Sequence, residues 1–398
     1  MAHVADLRLD LTQPGFFLRP DYFDVLADLR DQAPVYRTLD GSWAVTRYND
    51  IRSISRDPDH FVSGRGVLIN DPLRSDGSGG LNTFSILHLD PPIHGVYRKV
   101  VNRQFTPKAV GHLEKAIRRT VTEVLDSAVP DEPMDGIDDL AAVVPIAVIA
   151  ELFGVSGADR ELFRRWSDAI IAAPDQTGSP EPAVEVGQMA EFLMAHIDSP
   201  ATHGNDLLEV LNATELDGRR LNRLEIMGFC MTLLVAGNET TRTLISGGME
   251  ALHQQPDQRA DLAEDPSLLP VAVEELLRWV TPIQAFGRTA DVDVEVGGQE
   301  VAAGDFLVML YASGNRDGAV FGPTAAHLDV RRPMTPTHLA FGFGEHLCLG
   351  AALARLEVRI FFEELLGRFP TYDLVGEVEY VRSTLVRGAT RMPLVLAP

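Results

Sequence analysis

Apolar residues recur at every third or fourth position along most of this chain, with polar residues between them. This is the spacing of amphipathic helices, which bury one face and expose the other. The segments with this pattern are 21–32, 96–105, 109–128, 137–153, 159–172, 221–255, 268–280 and 350–366. The longest of them, 221–255, contains no proline over 35 residues. As one continuous helix it would be about 50 Å long and would cross the body of the protein.

Short runs of β-branched and aromatic residues interrupt the helical pattern and predict a small amount of sheet. Two of these runs flank Asp40-Gly41, which is a hairpin signal. The runs are 35–39, 43–48, 292–296, 300–302 and 306–310, and 283–286 is similar. No internal repeat and no break in composition divides the chain. We therefore predict a single, mainly α-helical domain with a minor β region over residues 1–398.

Two segments have the composition of loops. Residues 63–80 contain five glycines and Asp71-Pro72, so we expect a long mobile loop over about 63–88. Residues 174–182 contain three prolines and one glycine, which predicts a connection between two helices.

The overall charge narrows the range of functions. The net charge is −22, from 57 acidic and 35 basic side chains, which argues against a nucleic-acid binder and against adsorption to an anionic membrane. Two cysteines cannot form a disulfide scaffold, which favours an intracellular protein. The N-terminus shows no basic stretch followed by an apolar run, so we expect no signal peptide or anchor and a cytoplasmic location.

Basic residues are concentrated in one segment of this acidic chain. All three lysines, Lys99, Lys108 and Lys115, lie there, and residues 92–120 hold seven basic residues but only one acid, Glu114. Two interpretations remain open at this point. The segment is either a docking face for an acidic partner or the solvated side of two amphipathic helices.

Cys348 lies in a glycine-rich turn directly before a predicted helix. Glycines let the backbone approach a flat ligand closely. A helix start places partial positive charge near the sulfur, which favours the thiolate. Such a thiolate is the ligand a haem iron needs when an oxygen–oxygen bond is to be broken. The alternative is a buried free cysteine at a tight turn. Cys230, inside the predicted long helix, is interpreted as a buried free cysteine without a functional role.

The ten residues 341–350, FGFGEHLCLG, resemble the haem-binding signature of the cytochrome P-450 family at every defining position. The resemblance implies a fold with haem b between the long central helix and the helix after Cys348. It implies that Cys348 is the axial iron ligand. It also implies that the haem is bound by residues of this loop, namely Phe341, Gly342, His346 and Gly350.

A second motif, 236–241 with the sequence AGNETT, lies midway along the predicted long helix. An acid and two threonines lie on a helix face that is expected to be buried. Burial of these polar groups is costly unless they have hydrogen-bonding partners or a function. One interpretation is a helix kink satisfied internally. The resemblance instead implies that Glu239 and Thr240 form the catalytic acid–alcohol pair, with Ala236 and Gly237 beside the haem. In that interpretation Thr240 helps to hold dioxygen and Glu239 relays protons.

Two further sets of residues match the family pattern. Glu275 and Arg278 share a helix face, and the resemblance adds Arg332 as their structural partner, although Arg331 is adjacent. Cationic groups should converge on the two carboxylates of a haem. The resemblance assigns this task to His346 and to three further residues, His94, Arg98 and Arg288.

The resemblance also implies an external electron source. The chain has no flavin- or nicotinamide-binding segment, so electrons would come from NAD(P)H through a separate reductase and a ferredoxin-type protein. In this interpretation the donor docks on a basic face formed by Arg98, Lys99, Arg103, Lys108, Arg355 and Arg359.

The predicted function is haem-dependent hydroxylation, with O₂, of a C–H bond in an apolar small molecule of terpenoid, steroid or fatty-acyl type. The alternative substrate is a polyketide-like natural product that is hydroxylated or epoxidised. A peroxide-driven enzyme, a haem sensor and a non-haem interaction protein are weaker alternatives. By the resemblance, the substrate pocket is formed by Leu68, Ile69, Leu81, Phe84, Leu233, Ile283, Gln284, Phe286 and Leu385.

Overall fold

Helices account for most of the structure, a computed structural model that describes residues 8–75, 85–153, 159–172, 181–198, 207–216 and 218–397. The α-helices are α1 Pro14–Phe17, α2 Tyr22–Gln32, α3 Tyr48–Ser55, α4 Pro72–Ser75, α5 Ile93–Asn102, α6 Pro107–Val110, α7 Glu114–Ser127, α8 Val143–Leu152, α9 Arg160–Ala172, α10 Glu181–Asp198, α11 Leu207–Ala213, α12 Arg223–His253, α13 Pro256–Glu264, α14 Leu269–Val280, α15 Tyr311–Gly314, α16 Gly318–Phe321 and α17 Ala351–Arg368. A π-helical turn, Gly136–Ala141, precedes α8.

The strands are short. They are β1 Val35–Arg37, β2 Trp43–Val45, β3 Phe61–Val62, β4 Pro133–Asp135, β5 Glu215–Leu216, β6 Arg219–Arg220, β7 Ala285–Ala290, β8 Val294–Val296, β9 Gln299–Val301, β10 Phe306–Leu310, β11 Thr371–Leu374, β12 Glu379–Tyr380, β13 Ala389–Arg391 and β14 Pro393–Ala397. Within the described ranges, no helix is both long and apolar enough to cross a membrane.

Helix α12 is the central element of the fold. Its 31 residues span about 46 Å. A capping box starts it, since the Asn222 side chain accepts from the Glu225 N–H at 3.0 Å and the Glu225 carboxylate accepts from the Asn222 N–H at 2.7 Å. The helix packs against α8, α9, α10, α14 and α17. Most of its side chains are therefore buried, in agreement with the weak amphipathic pattern of its sequence.

A five-stranded sheet in the order β1-β2-β10-β7-β3 lies beside the helices. Strand β10 pairs parallel with β2 and antiparallel with β7, where Leu307 lies opposite Arg288 and Val308 opposite Gly287. A Cβ on Gly287 would overlap the ring of Phe306. Since alternate residues of a strand face opposite sides, Arg288 points away from that ring. The sheet thus fixes the direction of a buried cation.

The predicted secondary structure is largely confirmed. The predicted helices 21–32, 221–255 and 268–280 correspond to α2, α12 and α14, and β1 and β2 form the expected hairpin. Three details were wrong. Tyr48 begins α3 rather than ending a strand, 137–153 divides into the π-helical turn and α8, and the last helix continues through Gly367 to Arg368.

The two predicted loops are described only in part. The segment 63–88 contains α4 and a short 3-10 turn, Ile86–His88, while 76–84 lie outside the described residues. Helix α10 begins at Glu181, so 181–182 belong to a helix, and 174–180 lie outside the described residues. Helix α13 and the C-terminal strands β11 to β14 were not predicted.

Candidate active site

The loop that carries Cys348 is held in shape by its backbone. The Cys348 N–H donates to the Phe341 carbonyl at 2.9 Å. Gly342 and Gly344 have φ values of 69° and 74°, which glycine adopts without steric cost. A Cβ on Gly344 would overlap the carbonyl oxygen of Ser55 at the end of α3. The glycines are therefore needed for both the turn and the contact with α3.

The Cys348 thiol lies three residues before α17 and is accessible. Protein surrounds it closely enough that desolvation raises the pKa of the thiol above its usual value. The Gly350 backbone N–H and the charges of Arg98 and Arg355 oppose this and favour the thiolate. The loop thus presents an accessible sulfur whose thiolate form is stabilised by nearby donors, and a thiolate can bind a metal.

Four donor side chains converge beside the cysteine loop. Helix α5 supplies His94 and Arg98, β7 supplies Arg288, and the loop supplies His346. The rings of His94 and His346 lie 4.1 Å apart between centroids. The guanidinium of Arg98 donates to the Leu347 carbonyl, and that of Arg288 donates to the Gly287 carbonyl at 2.7 Å.

The electrostatics of these four groups favour an anionic ligand. Burial lowers the pKa of His94 to about 4, assisted by the nearby charge of Arg98. Burial, together with Arg288 and His94, lowers the pKa of His346 to about 2. Both imidazoles are therefore neutral near pH 7, so each carries one N–H that can donate. Two guanidinium groups and two imidazoles together suit a pair of carboxylates.

The AGNETT segment of α12 places an acid and a hydroxyl in successive positions. The Thr240 hydroxyl donates to the Ala236 carbonyl at 2.6 Å. Glu239 is fully buried, forms an ion pair with Arg242, and accepts from the Thr243 hydroxyl at 3.4 Å. Ala236, although midway along the central helix, is exposed. This stretch of α12 therefore borders a space that small molecules can reach.

Glu275, Arg278 and Arg332 form a cluster of ion pairs. Arg278 pairs with Glu275 at 2.7 Å, and Arg332 pairs with Glu275 at 3.2 Å. All three side chains are buried. Arg331 instead pairs with Asp261 at the surface. The structure thus selects Arg332 over its neighbour.

Comparisons with known proteins agree on one family. Residues 188–373 match the family model for cytochrome P450. The chain is 35% identical, over 92% of its length and 89% of the relative's, to a methyl-branched lipid omega-hydroxylase of Mycobacterium tuberculosis. It is 34% identical to linalool 8-monooxygenase of Pseudomonas putida, over 98% and 99% of the two chains. The chain belongs to the cytochrome P450 family.

Solved structures support the same assignment for the fold. A Mycobacterium marinum cytochrome P450 in complex with pseudoionone is 34% identical, and the match covers 98% of this chain and all of that one with a TM-score of 0.86. This P450 is therefore a haem-thiolate monooxygenase with a single, mainly helical domain.

The residues at the site fit a haem group. His94 is buried, and its Nε2 atom has no hydrogen-bond partner among the described residues. Among the described residues, no carboxylate lies within ion-pair distance of the buried Arg288. These are the groups that haem carboxylates would engage. The accessible Cys348 would supply a sulfur ligand to the haem iron.

Two of the predicted site residues have other environments in this P450. A Cβ on Gly237 would lie 2.7 Å from Cδ1 of Ile149, so this glycine lets α12 approach α8 and does not face the same side as Ala236. Gln284 is fully buried, and its amide is bonded to the Tyr22 hydroxyl and the Thr281 carbonyl. This environment disagrees with the placement of Gln284 in the predicted substrate pocket, because both ends of its amide already have partners in the core.

The remaining pocket residues are only partly brought together. Gln284 N donates to the Leu385 carbonyl, which places Leu385 beside the half-buried Ile283 and Phe286. Ile69 is buried in the N-terminal core cluster, so it does not line an open pocket. Leu68 and Leu233 are half-buried, while Leu81 and Phe84 lie outside the described residues.

The predicted basic face is divided. Lys99, Arg103 and Lys108 are exposed. In contrast, Arg355 pairs with Glu274, and Arg359 pairs with Glu363 and Glu114. These ion pairs offset the positive charges of the two arginines on α17, so the exposed basic charge lies mainly on Lys99, Arg103 and Lys108.

Sequence reasoning missed three polar contacts around the site. The Ser63 hydroxyl lies 3.2 Å from Nε2 of His346. The Thr241 hydroxyl donates at 3.3 Å to Glu357, whose pKa is raised to about 8 by burial. Arg242 pairs with Glu239. Of these contacts, the sequence indicates only the one made by Arg242, because an arginine three residues after Glu239 in an apolar helix can form an ion pair with it.

Proposed function

We propose that this P450 hydroxylates a C–H bond of a methyl-branched, acyclic apolar molecule, an isoprenoid or a branched lipid. The observation that carries the reaction class is the accessible Cys348 thiol beside four donors suited to carboxylates. Linalool and pseudoionone are branched, acyclic terpenoids. The relatives named with these molecules and with methyl-branched lipids support the substrate class.

The chain's own residues would bind and serve the cofactor, haem b. Cys348 would coordinate the iron, and His94, Arg98, Arg288 and His346 would hold the two carboxylates. The haem would supply the activation of O₂. Glu239 and Thr240 would hold and pass on the protons that the reaction consumes. Apolar side chains near Ile283 and Phe286 would exclude water and orient the substrate.

The electron donor would be a ferredoxin-type protein supplied with electrons from NAD(P)H by a separate reductase. Three exposed cations, Lys99, Arg103 and Lys108, support docking of an acidic protein. We assign Arg355 and Arg359 a smaller share in docking because their charges are already paired. The whole chain, 1–398, would act as one domain, and its cytoplasmic location stays a prediction.

The first experiment is the absorption spectrum of the reduced protein under carbon monoxide, for wild type and Cys348→Ser. We expect a strongly red-shifted Soret band that the variant lacks, and its absence from wild type would overturn the proposal. Substrate class follows from spin-state titrations with linalool, pseudoionone, an unbranched fatty acid, a steroid and a macrolide. Tightest binding of the macrolide would favour the polyketide alternative. Product analysis with a reconstituted donor then establishes hydroxylation.

A further inference from the structure

Glu239 and Arg242 form a buried ion pair one helical turn apart on α12. Their side chains are 0% and 6% exposed. A charged group in the protein interior is costly unless a partner compensates it. Without a cation beside it, a carboxyl as deeply buried as Glu239 would favour its neutral form. Arg242 therefore favours the ionised form of this carboxyl.

The surroundings of the pair are polar on one side of α12. Asn238, Arg242 and Ser246 follow at four-residue intervals and are all buried. The Ser246 hydroxyl donates to the Arg242 carbonyl at 2.9 Å. On the other flank, Gly388 lies so close that a Cβ there would be 3.0 Å from Glu239 Oε1. The position of the carboxylate is thus defined by several elements.

The acid and the alcohol bond in opposite directions along the helix. Glu239 contacts Arg242 and Thr243 in the following turn. The Thr240 hydroxyl donates to Ala236 in the preceding turn. To pass a proton to the Thr240 oxygen, directly or through water, the Glu239 carboxyl must turn from these contacts. The ion pair therefore determines both the charge and the starting position of the acid.

We propose that Arg242 is a positioning residue for proton delivery, which holds Glu239 as a carboxylate poised between solvent and Thr240. This inference rests on the proposed role of Glu239. Stabilising the conjugate base makes Glu239 a stronger acid, so that it transfers each proton to Thr240 more readily. In one cycle the carboxylate takes up one solvent proton and gives it to the Thr240 oxygen, which passes on its own proton and so returns Glu239 to the carboxylate.

The direct test of the charge is infrared spectroscopy of the resting holoprotein near pH 7. Spectra are recorded as variant-minus-wild-type differences, so that the signal of Glu357 cancels. In Arg242→Met we expect a new band of a protonated carboxyl group that shifts in D₂O. The band should be absent from Arg242→Lys and lost again in Arg242→Met/Glu239→Gln. A difference spectrum without the carboxyl band would overturn the proposal.

Turnover supplies the second readout. Arg242→Met should lower product formation by about tenfold, raise the solvent isotope effect and release more hydrogen peroxide per NAD(P)H. Arg242→Lys should restore most of the loss. The matched control is Arg259→Met, which removes another buried arginine that is bonded to the Tyr372 carbonyl. If Arg242→Met and Arg259→Met behave alike, Arg242 has only a structural role.

Failure of this inference is distinguishable from failure of the proposed function. A wild type without the thiolate-type carbon monoxide spectrum, or without product, contradicts the function itself. Normal spectra and turnover in Arg242→Met contradict only the inference. If Arg242→Met does not fold, Arg242→Gln keeps the hydrogen-bonding side chain without the charge, and the same band and turnover loss are expected.

Discussion

Replacing Glu275 by glutamine should destabilise the protein strongly. Glu275 is fully buried and accepts from Arg278 at 2.7 Å, from Arg332 at 3.3 Å and from the Asp329 N–H at 2.8 Å. Glutamine keeps the shape but removes the charge, leaving two buried guanidinium groups uncompensated. Removing one partner of a buried ion pair costs about 3–5 kcal/mol. That is a large share of the roughly 5–15 kcal/mol that stabilises a typical protein.

The expected change in melting temperature follows from chain length. At about 2.1 cal/mol/K per residue, unfolding entropy is about 0.8 kcal/mol/K for 398 residues. Glu275→Gln should therefore lower the melting temperature by about 4–6 °C.

The assay is thermal unfolding followed by circular dichroism, with scan rates varied because large proteins often unfold irreversibly. The control is Asp261→Asn, which breaks the exposed Arg331–Asp261 pair and should change the melting temperature by less than about 1 °C. Equal shifts for the two variants would refute the reasoning that burial makes the Glu275 pair important.

Three other predictions concern the site. Gly344→Ala should prevent normal haem binding, because residue 344 has a φ of 74° and a Cβ there would overlap Ser55. The measurement is the carbon monoxide spectrum, and the control is Gly367→Ala, where a Cβ would meet no other atom. Glu357, with its pKa raised to about 8, binds a proton in the folded state that the unfolded chain releases near pH 4.5, the ordinary pKa of a glutamate. The stability that this group contributes is therefore lost as pH rises from 4.5 to 8. Glu357→Gln should raise the melting temperature at pH 8 but hardly at pH 4, and equal effects at the two pH values would contradict this prediction. Arg288→Leu should lower the haem-to-protein ratio of purified protein, and an unchanged ratio would exclude this cation from haem binding.

The fold could be predicted well where local patterns determine structure. The length of α12 follows from a proline-free apolar segment, its start from the Asn222–Glu225 capping box, and its end from residues before Pro256. Strands β11 to β14 were missed because their pairing is non-local and each is five residues or shorter. Strand formation there depends on partners distant in sequence, which periodicity does not report.

Residues at the site were predictable where a motif fixes them, and less so where packing does. The Cys348 loop and the Glu275–Arg278 spacing were visible in the sequence. In contrast, Gln284 was assigned to a pocket by the resemblance alone, whereas a tertiary hydrogen bond from Tyr22 holds it in the core. A contact 262 residues apart in the chain leaves no local signal.

Helix α14 carries two consecutive glutamates that face different parts of the molecule. Glu275 is fixed to Arg332 in the segment before the cysteine loop, and Glu274 is fixed to Arg355 on α17 after that loop. The segments on both sides of the loop are therefore attached to the same helix, α14. For either end of the loop to move relative to α14, one of these ion pairs would have to break. We therefore expect Cys348 to keep its position relative to α14 when other parts of the protein change shape.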